Sequence, residues 1–136
     1  DVFGTSSEVK KVILTHANRI EPNTNYILDT VNSYRLLEEN GDMFLQTLRN
    51  LYISVHDKNA MAYLNFTQTH TEQPDPYIKA AMNMCDGIFN IHTEIKERDI
   101  NSLLEIRRMR KRSYPSETIK LDFDKILSVD TTRNIA

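Results

Sequence analysis

The stretch from Phe44 to Val55 constrains the fold most. Phe44, Leu45, Leu48, Leu51, Tyr52 and Val55 fall at helical spacing, which puts them on one face of an α-helix. A helix with such a stripe must bury it, so other segments must present apolar faces to it. Only 3 Gly and 4 Pro occur in the chain. That is few for the many tight turns of a β-sandwich or barrel and favours helices. With no Trp, burial rests on Leu, Ile, Met, Phe and Tyr.

The flanking segments are read in the same light. Thr5 and Glu8 have capping-box spacing, and Val9, Val12, Ile13, Ala17 and Ile20 follow, which predicts a helix from Ser6 to Ile20. A turn is expected at Pro22. Ile27, Val31, Tyr34 and Leu37 then share a helical face, and Gly41 is expected to end that helix in a left-handed conformation. Asp42 is expected to cap the stripe helix. From His56 to Thr71, Ala60, Met61, Leu64 and Phe66 read as further helix. The alternative is a hairpin about Asp57-Lys58-Asn59 that joins Ile53–Val55 to Met61–Tyr63.

After a polar break at Thr71–Pro76, Asp75 is a cap and Pro76 suits the first helical position. Ile78, Ala81, Cys85, Ile88, His92 and Ile95 recur at three and four residues, and the register continues through Asp99 and Ser102 to Ile106 and Met109. Read as a heptad-like seam, this predicts a helix over residues 76–112, about 55 Å long, or two helices with Asp99 capping the second. Met82, Met84, Phe89, Ile91, Leu103 and Leu104 widen the seam. Ile119, Leu121 and Phe123 alternate with polar residues, which reads as a strand or extended arm. The expected fold class is mainly α: a bundle of about four to six helices, with the long helix around 76–112 and an extended or β-like C-terminal segment. The expected organisation is one domain, helical over 1–112 with an arm over 113–136.

The formal charge is −2, so nucleic-acid binding would need a local patch. Arg107-Arg108-Met109-Arg110-Lys111-Arg112 is such a patch, with five basic residues in six. As a last helical turn it would also complement the helix dipole. A helix-turn-helix layout over Ser6–Glu39 is weighed against this, but its second helix is not basic. His16, His56, His70 and His92 form no metal motif. Cys85 and His92 would lie two helical turns apart, about 10 Å, too far for a nucleophile–base pair. Glu38-Glu39 and Asp122–Asp124 sit in ordinary polar surroundings, and the chain has no G-x-G-x-x-G, P-loop or G-x-S-x-G sequence. Asn65-Phe66-Thr67 is a glycosylation sequon.

The expected function is therefore non-enzymatic: a helical association or assembly module, self-associating through Ile78, Cys85, Ile88, His92, Ile95, Ile106 and Met109. The alternative is a nucleic-acid-binding regulator or packaging factor acting through Arg107, Arg108, Arg110, Lys111 and Arg112. No cofactor or metal is expected. No apolar run reaches the roughly 20 residues needed to span a bilayer. The single cysteine suits a reducing, cytoplasmic setting. A chain that opens on Asp1 reads as trimmed, processed or excised.

Overall fold

The computed structural model describes residues 5–68, 73–123 and 127–135, those from 123 onward by backbone. Residues 1–4, 69–72, 124–126 and 136 lie outside the described residues; among them are His70, the start of the polar break and Asp124. The chain divides into two compact units, Asp1–Met84 and Cys85–Ala136. Among the described residues there are four helices and six strands, so the fold is mixed α/β and not a helical bundle.

In the first unit, α1 runs from Ser6 to Asn18. Its capping box is complete: the Thr5 amide donates to Glu8 Oε2 at 2.8 Å and the Glu8 amide to Thr5 Oγ1 at 3.4 Å. The second helix of the sequence reading is instead two elements. Strand β1 spans Asn25–Asp29 and α2 spans Val31–Leu37. Thr30 stands between them and caps α2 by accepting from the Ser33 amide at 3.3 Å. The helical spacing of Ile27, Val31, Tyr34 and Leu37 misleads because only its latter part is helical. Along β1, Tyr26 and Leu28 turn toward the core while Ile27 stays 71% exposed, the period-2 alternation of a strand.

The Phe44–Val55 stripe lies on α3, Gly41–Asp57. Its cap is Asn40, not Asp42: Asn40 Oδ1 accepts from the Asp42 and Met43 amides at 3.1 and 3.2 Å. Gly41 is the first residue of the helix and has no left-handed φ. Glycine is needed there for space, because a Cβ would overlap the ring of Tyr77. The helix stops at Asp57, and Asn59 takes the left-handed turn at φ 50. Strand β2, Met61–Asn65, follows. It forms neither the expected helix nor the alternative hairpin, but pairs in parallel with β1 from Asn25↔Met61 to Asp29↔Asn65. Parallel neighbours require a crossover of a dozen or more residues, and α2 and α3 are that crossover.

The core of this unit gathers Ile13, Ala17, Val31, Tyr34, Phe44, Thr47, Leu48, Leu51 and Ala81. Tyr34 hydroxyl donates to Thr47 Oγ1 at 3.1 Å, and Thr47 Oγ1 donates to the Met43 carbonyl at 2.9 Å. Both side chains are buried, and burial is the main influence pushing the Tyr34 phenol up. Arg35 lies over the rings of Phe44 and Tyr77, 5.7 and 4.9 Å from their centroids, with its Nε 2.9 Å from Asp75 Oδ2. Asp75 Oδ1 also accepts from the Tyr77 amide at 2.8 Å and so starts α4, Pro76–Met84.

The second unit contradicts the long helix over 76–112. After Met84 the chain turns into strands: β3 Gly87–Lys96, β4 Asp99–Met109, β5 Thr118–Phe123 and β6 Leu127–Ile135. They form an antiparallel sheet in the order β3-β4-β5-β6. Lys96 pairs with Asp99, which leaves Glu97-Arg98 as a two-residue hairpin turn, with Glu97 at φ 53. Two periods overlap in this sequence. The seam counts every third or fourth residue, but Phe89, Ile91 and Ile95 also alternate, opposite Ile106, Leu104 and Ile100. Isoleucine and phenylalanine favour strands, and the cross-strand pairing decides the outcome.

Thr47→Val keeps the volume of the buried side chain and leaves the Tyr34 hydroxyl without its acceptor. The expected cost is about 1–3 kcal/mol in chemical denaturation. Adding Tyr34→Phe should recover part of it, because the orphaned hydroxyl is gone. Strict additivity of the two substitutions would refute the pairing.

Candidate functional site

Parallel pairing brings two strand ends together at one end of the sheet. Asp29, the last residue of β1, stands opposite Asn65, the last residue of β2. Asn65 Nδ2 donates to Asp29 Oδ1 at 2.7 Å. The Asp29–Thr30 peptide is cis. Beyond it, Thr30 Oγ1 and Ser33 Oγ lie 2.8 Å apart. Asn32, in the first turn of α2, reaches the segment after β2: its Nδ2 donates to the Thr67 carbonyl at 3.1 Å, and its Oδ1 accepts from the Thr67 amide at 2.8 Å. A side-chain amide paired with both groups of one residue acts like a short piece of ladder. The rim therefore gathers one carboxylate residue, three hydroxyl residues and two carboxamide residues, all within two short segments.

The opposite end of the pair is different. There Asn59 Nδ2 donates to Asn23 Oδ1 at 3.5 Å and the Met61 amide to the Thr24 carbonyl at 3.1 Å. Those contacts join the two segments that lead into β1 and β2, and no carboxylate takes part in them.

Asp29 and Asn65 were not among the expected site residues. One signal for Asp29 is in the sequence: the apolar run Tyr26-Ile27-Leu28 ends on a carboxylate and is followed by two hydroxyl residues within four positions. Asn65 was visible only as a sequon. Nothing local marks it as the partner of a residue 36 positions away.

The residues expected to form an association seam do not share one face. Ile78 is on α4 of the first unit, Cys85 follows that helix, and the remainder are on strands. Ile95 and Ile106 lie on one face of the β3–β4 pair, opposite Ile100 and Phe89, whereas His92 lies opposite Leu103 on the other. Ile88 and Met109 stand at the far end of the ladder, opposite Arg108 and Gly87.

The basic cluster is also redistributed. Arg107, Arg108 and Met109 end β4, and Arg110, Lys111 and Arg112 form the turn after it, with Lys111 at φ 60. No helix end is present for them to complement. Arg107 Nε is 3.5 Å from Glu105 and Arg110 Nη1 is 3.5 Å from Asp86. Arg108 Nη2 donates to the Cys85 carbonyl at 2.7 Å.

Helix-turn-helix geometry over Ser6–Glu39 is excluded by β1, which separates the two helices. His16 Nδ1 lies 2.9 Å from the Val12 carbonyl, and His56 stacks on Tyr52. Among the described residues, no group of three or more His, Cys, Asp or Glu could hold a metal ion by itself. No helix among them is long and apolar enough to cross a membrane.

Cys85 is half-buried, and burial, the largest influence, pushes its thiol up. Arg108 and Arg110 pull it down and Asp86 pushes it up. Because the thiolate is the nucleophile, iodoacetamide at pH 8 should modify Cys85 more slowly than it modifies glutathione. A rate equal to the free thiol's would show that the environment is misjudged.

The chain resembles the KaiC-like protein of the hyperthermophilic archaeon Pyrococcus horikoshii OT3, with a TM-score of 0.65 at 12% identity. The likeness covers 91% of this chain and 54% of the other, so the chain spans about half the length of that structure. This likeness and the mixed sheets correct the functional expectation: the chain is not a helical association module. The alternative's basic patch has no helix end to occupy and lies instead at the end of β4 and the turn after it. No protein of curated function matches the sequence. A family model described as a family of unknown function, DUF7125, matches residues 5–136, and the chain belongs to that family.

Proposed function

We propose that this chain is part of a nucleotide-binding unit, and that the ends of β1 and β2 are the metal side of its phosphate site. One observation carries the reading. Asp29 closes a strand of a parallel pair, is exposed at the carboxyl end of the sheet, and is held there by Asn65. In α/β folds, ligands bind outside the carboxyl ends of parallel strands. In P-loop NTPases an Asp at such a strand end holds Mg²⁺. The likeness in fold to a KaiC-like protein supports the same placement.

The residues present fit a magnesium ion that arrives with phosphate. Mg²⁺ in nucleotide sites takes one or two protein carboxylates and completes its octahedron with phosphate oxygens and water. A single exposed carboxylate supplies that share, and no all-protein cage is required. When bound, the ion neutralises charge on the phosphate oxygens. Asp29 would hold the ion, and Thr30 and Ser33 offer hydroxyls beside it.

The 136 residues contain no G-x-x-x-x-G-K-[ST] sequence, so the reading assigns them no phosphate cradle. Nucleotide hydrolysis by the whole protein is part of the proposal and not of this chain alone.

Paramagnetic broadening tests the reading in the whole protein, where the phosphate cradle would be supplied, with Mn²⁺ in place of Mg²⁺ and ADP as the nucleotide. In amide NMR spectra, Mn²⁺·ADP should broaden residues 29–33 and 65–67 first, and Asp29→Asn should abolish the effect. Broadening spread evenly over the surface acids, or unchanged by Asp29→Asn, would refute the site.

A further inference from the structure

We infer that Asn65 is a positioning residue that aims the Asp29 carboxylate. The inference rests on the nucleotide reading of this site and adds to it the residue that orients the metal-side carboxylate.

The argument begins with register. In a parallel pair, residues opposite one another point to the same face of the sheet. Asp29 and Asn65 are opposite at the last step of the ladder. A slip of one residue would bring Leu64 or Phe66 opposite and turn the carboxamide to the other face. The pairing therefore fixes which side chain can reach Asp29. The contact is short, 2.7 Å from Nδ2 to Oδ1, in the range of a bond to an ionised acceptor.

A carboxamide suits this task better than the alternatives. It donates to the carboxylate without bringing a competing charge, whereas Lys or Arg would repel a cation and Asp or Glu would repel Asp29. With Oδ1 engaged, Oδ2 is the oxygen left for an ion. Such supporting hydrogen bonds set the direction of metal-binding carboxylates. Asn32 steadies the same rim by a separate route, through the Thr67 backbone, so removing the Asn65 amide need not loosen the loops. Asn65 is exposed, which makes a purely structural role a poor account of so short a contact.

Asn65→Leu preserves the shape of the side chain and removes the donor. It should weaken Mn²⁺·ADP about tenfold, the lower end for loss of a supporting partner, read as the concentration needed to broaden residues 29–33. The melting temperature and the backbone spectrum of the ion-free chain should stay unchanged. Asn65→Asp should change the response again, because it replaces the donor with a second carboxylate. If wild type binds, Asp29→Asn abolishes binding and Asn65→Leu binds like wild type, the positioning role is overturned and the nucleotide reading stands. If wild type shows no localised broadening, the nucleotide reading fails and takes this inference with it. A lowered melting temperature in Asn65→Leu, matched by an equal loss in the ion-free spectrum, would also overturn the positioning role.

Discussion

The parallel pairing of β1 with β2 is the constraint on which the first unit depends. Two parallel strands cannot be joined by a tight turn, so the thirty-odd residues between them must travel back along the sheet. That return path is α2 and α3, and its inner side holds Val31, Tyr34, Phe44, Thr47, Leu48 and Leu51. Ridges of α1 and α4 pack onto α3, and Arg35 ties α2 to α3 and to the start of α4 through two rings and a carboxylate. The pairing also brings both strand ends to one rim. An antiparallel arrangement of the same strands would have put Asp29 and Asn65 at opposite ends.

Much of the helical part of this unit was legible. Thr5 and Glu8 announce a helix start, the Phe44–Val55 stripe marks α3, and Asp75-Pro76 marks the start of α4. Each of these signals is local, carried by residues within a turn or two. What was illegible depends on distant partners. Strand β1 is five residues long, too short to outweigh a helical reading that runs on into α2. Its partner follows a whole crossover later. The site suffered the same fate. A carboxylate after an apolar run has no evident meaning until its neighbour is known, and that neighbour is fixed by register alone.

The second unit failed for another reason. From Ile78 to Met109 the isoleucines satisfy a helical count and a strand count together, and hairpin pairing between Ile95 and Ile100 or Phe89 and Ile106 settles the matter. The basic run changes character with it. On a helix end its charges would project together. At a strand end and turn, Arg107 meets Glu105, Arg110 meets Asp86 and Arg108 meets the Cys85 carbonyl. Exposed pairs of this kind contribute little stability, but they divide the cluster among separate partners.

The Asn32–Thr67 contact has a consequence for motion. Its two hydrogen bonds join segments 35 residues apart in sequence, at the end of the β1–β2 pair. The start of α2 and the loop after β2, fastened in this way, should open to solvent as one cooperative unit, with a common opening free energy for their protected amides. Anything that stiffens one would then slow the other. The rim would respond to whatever occupies it as one body, although no covalent link or shared helix joins its halves.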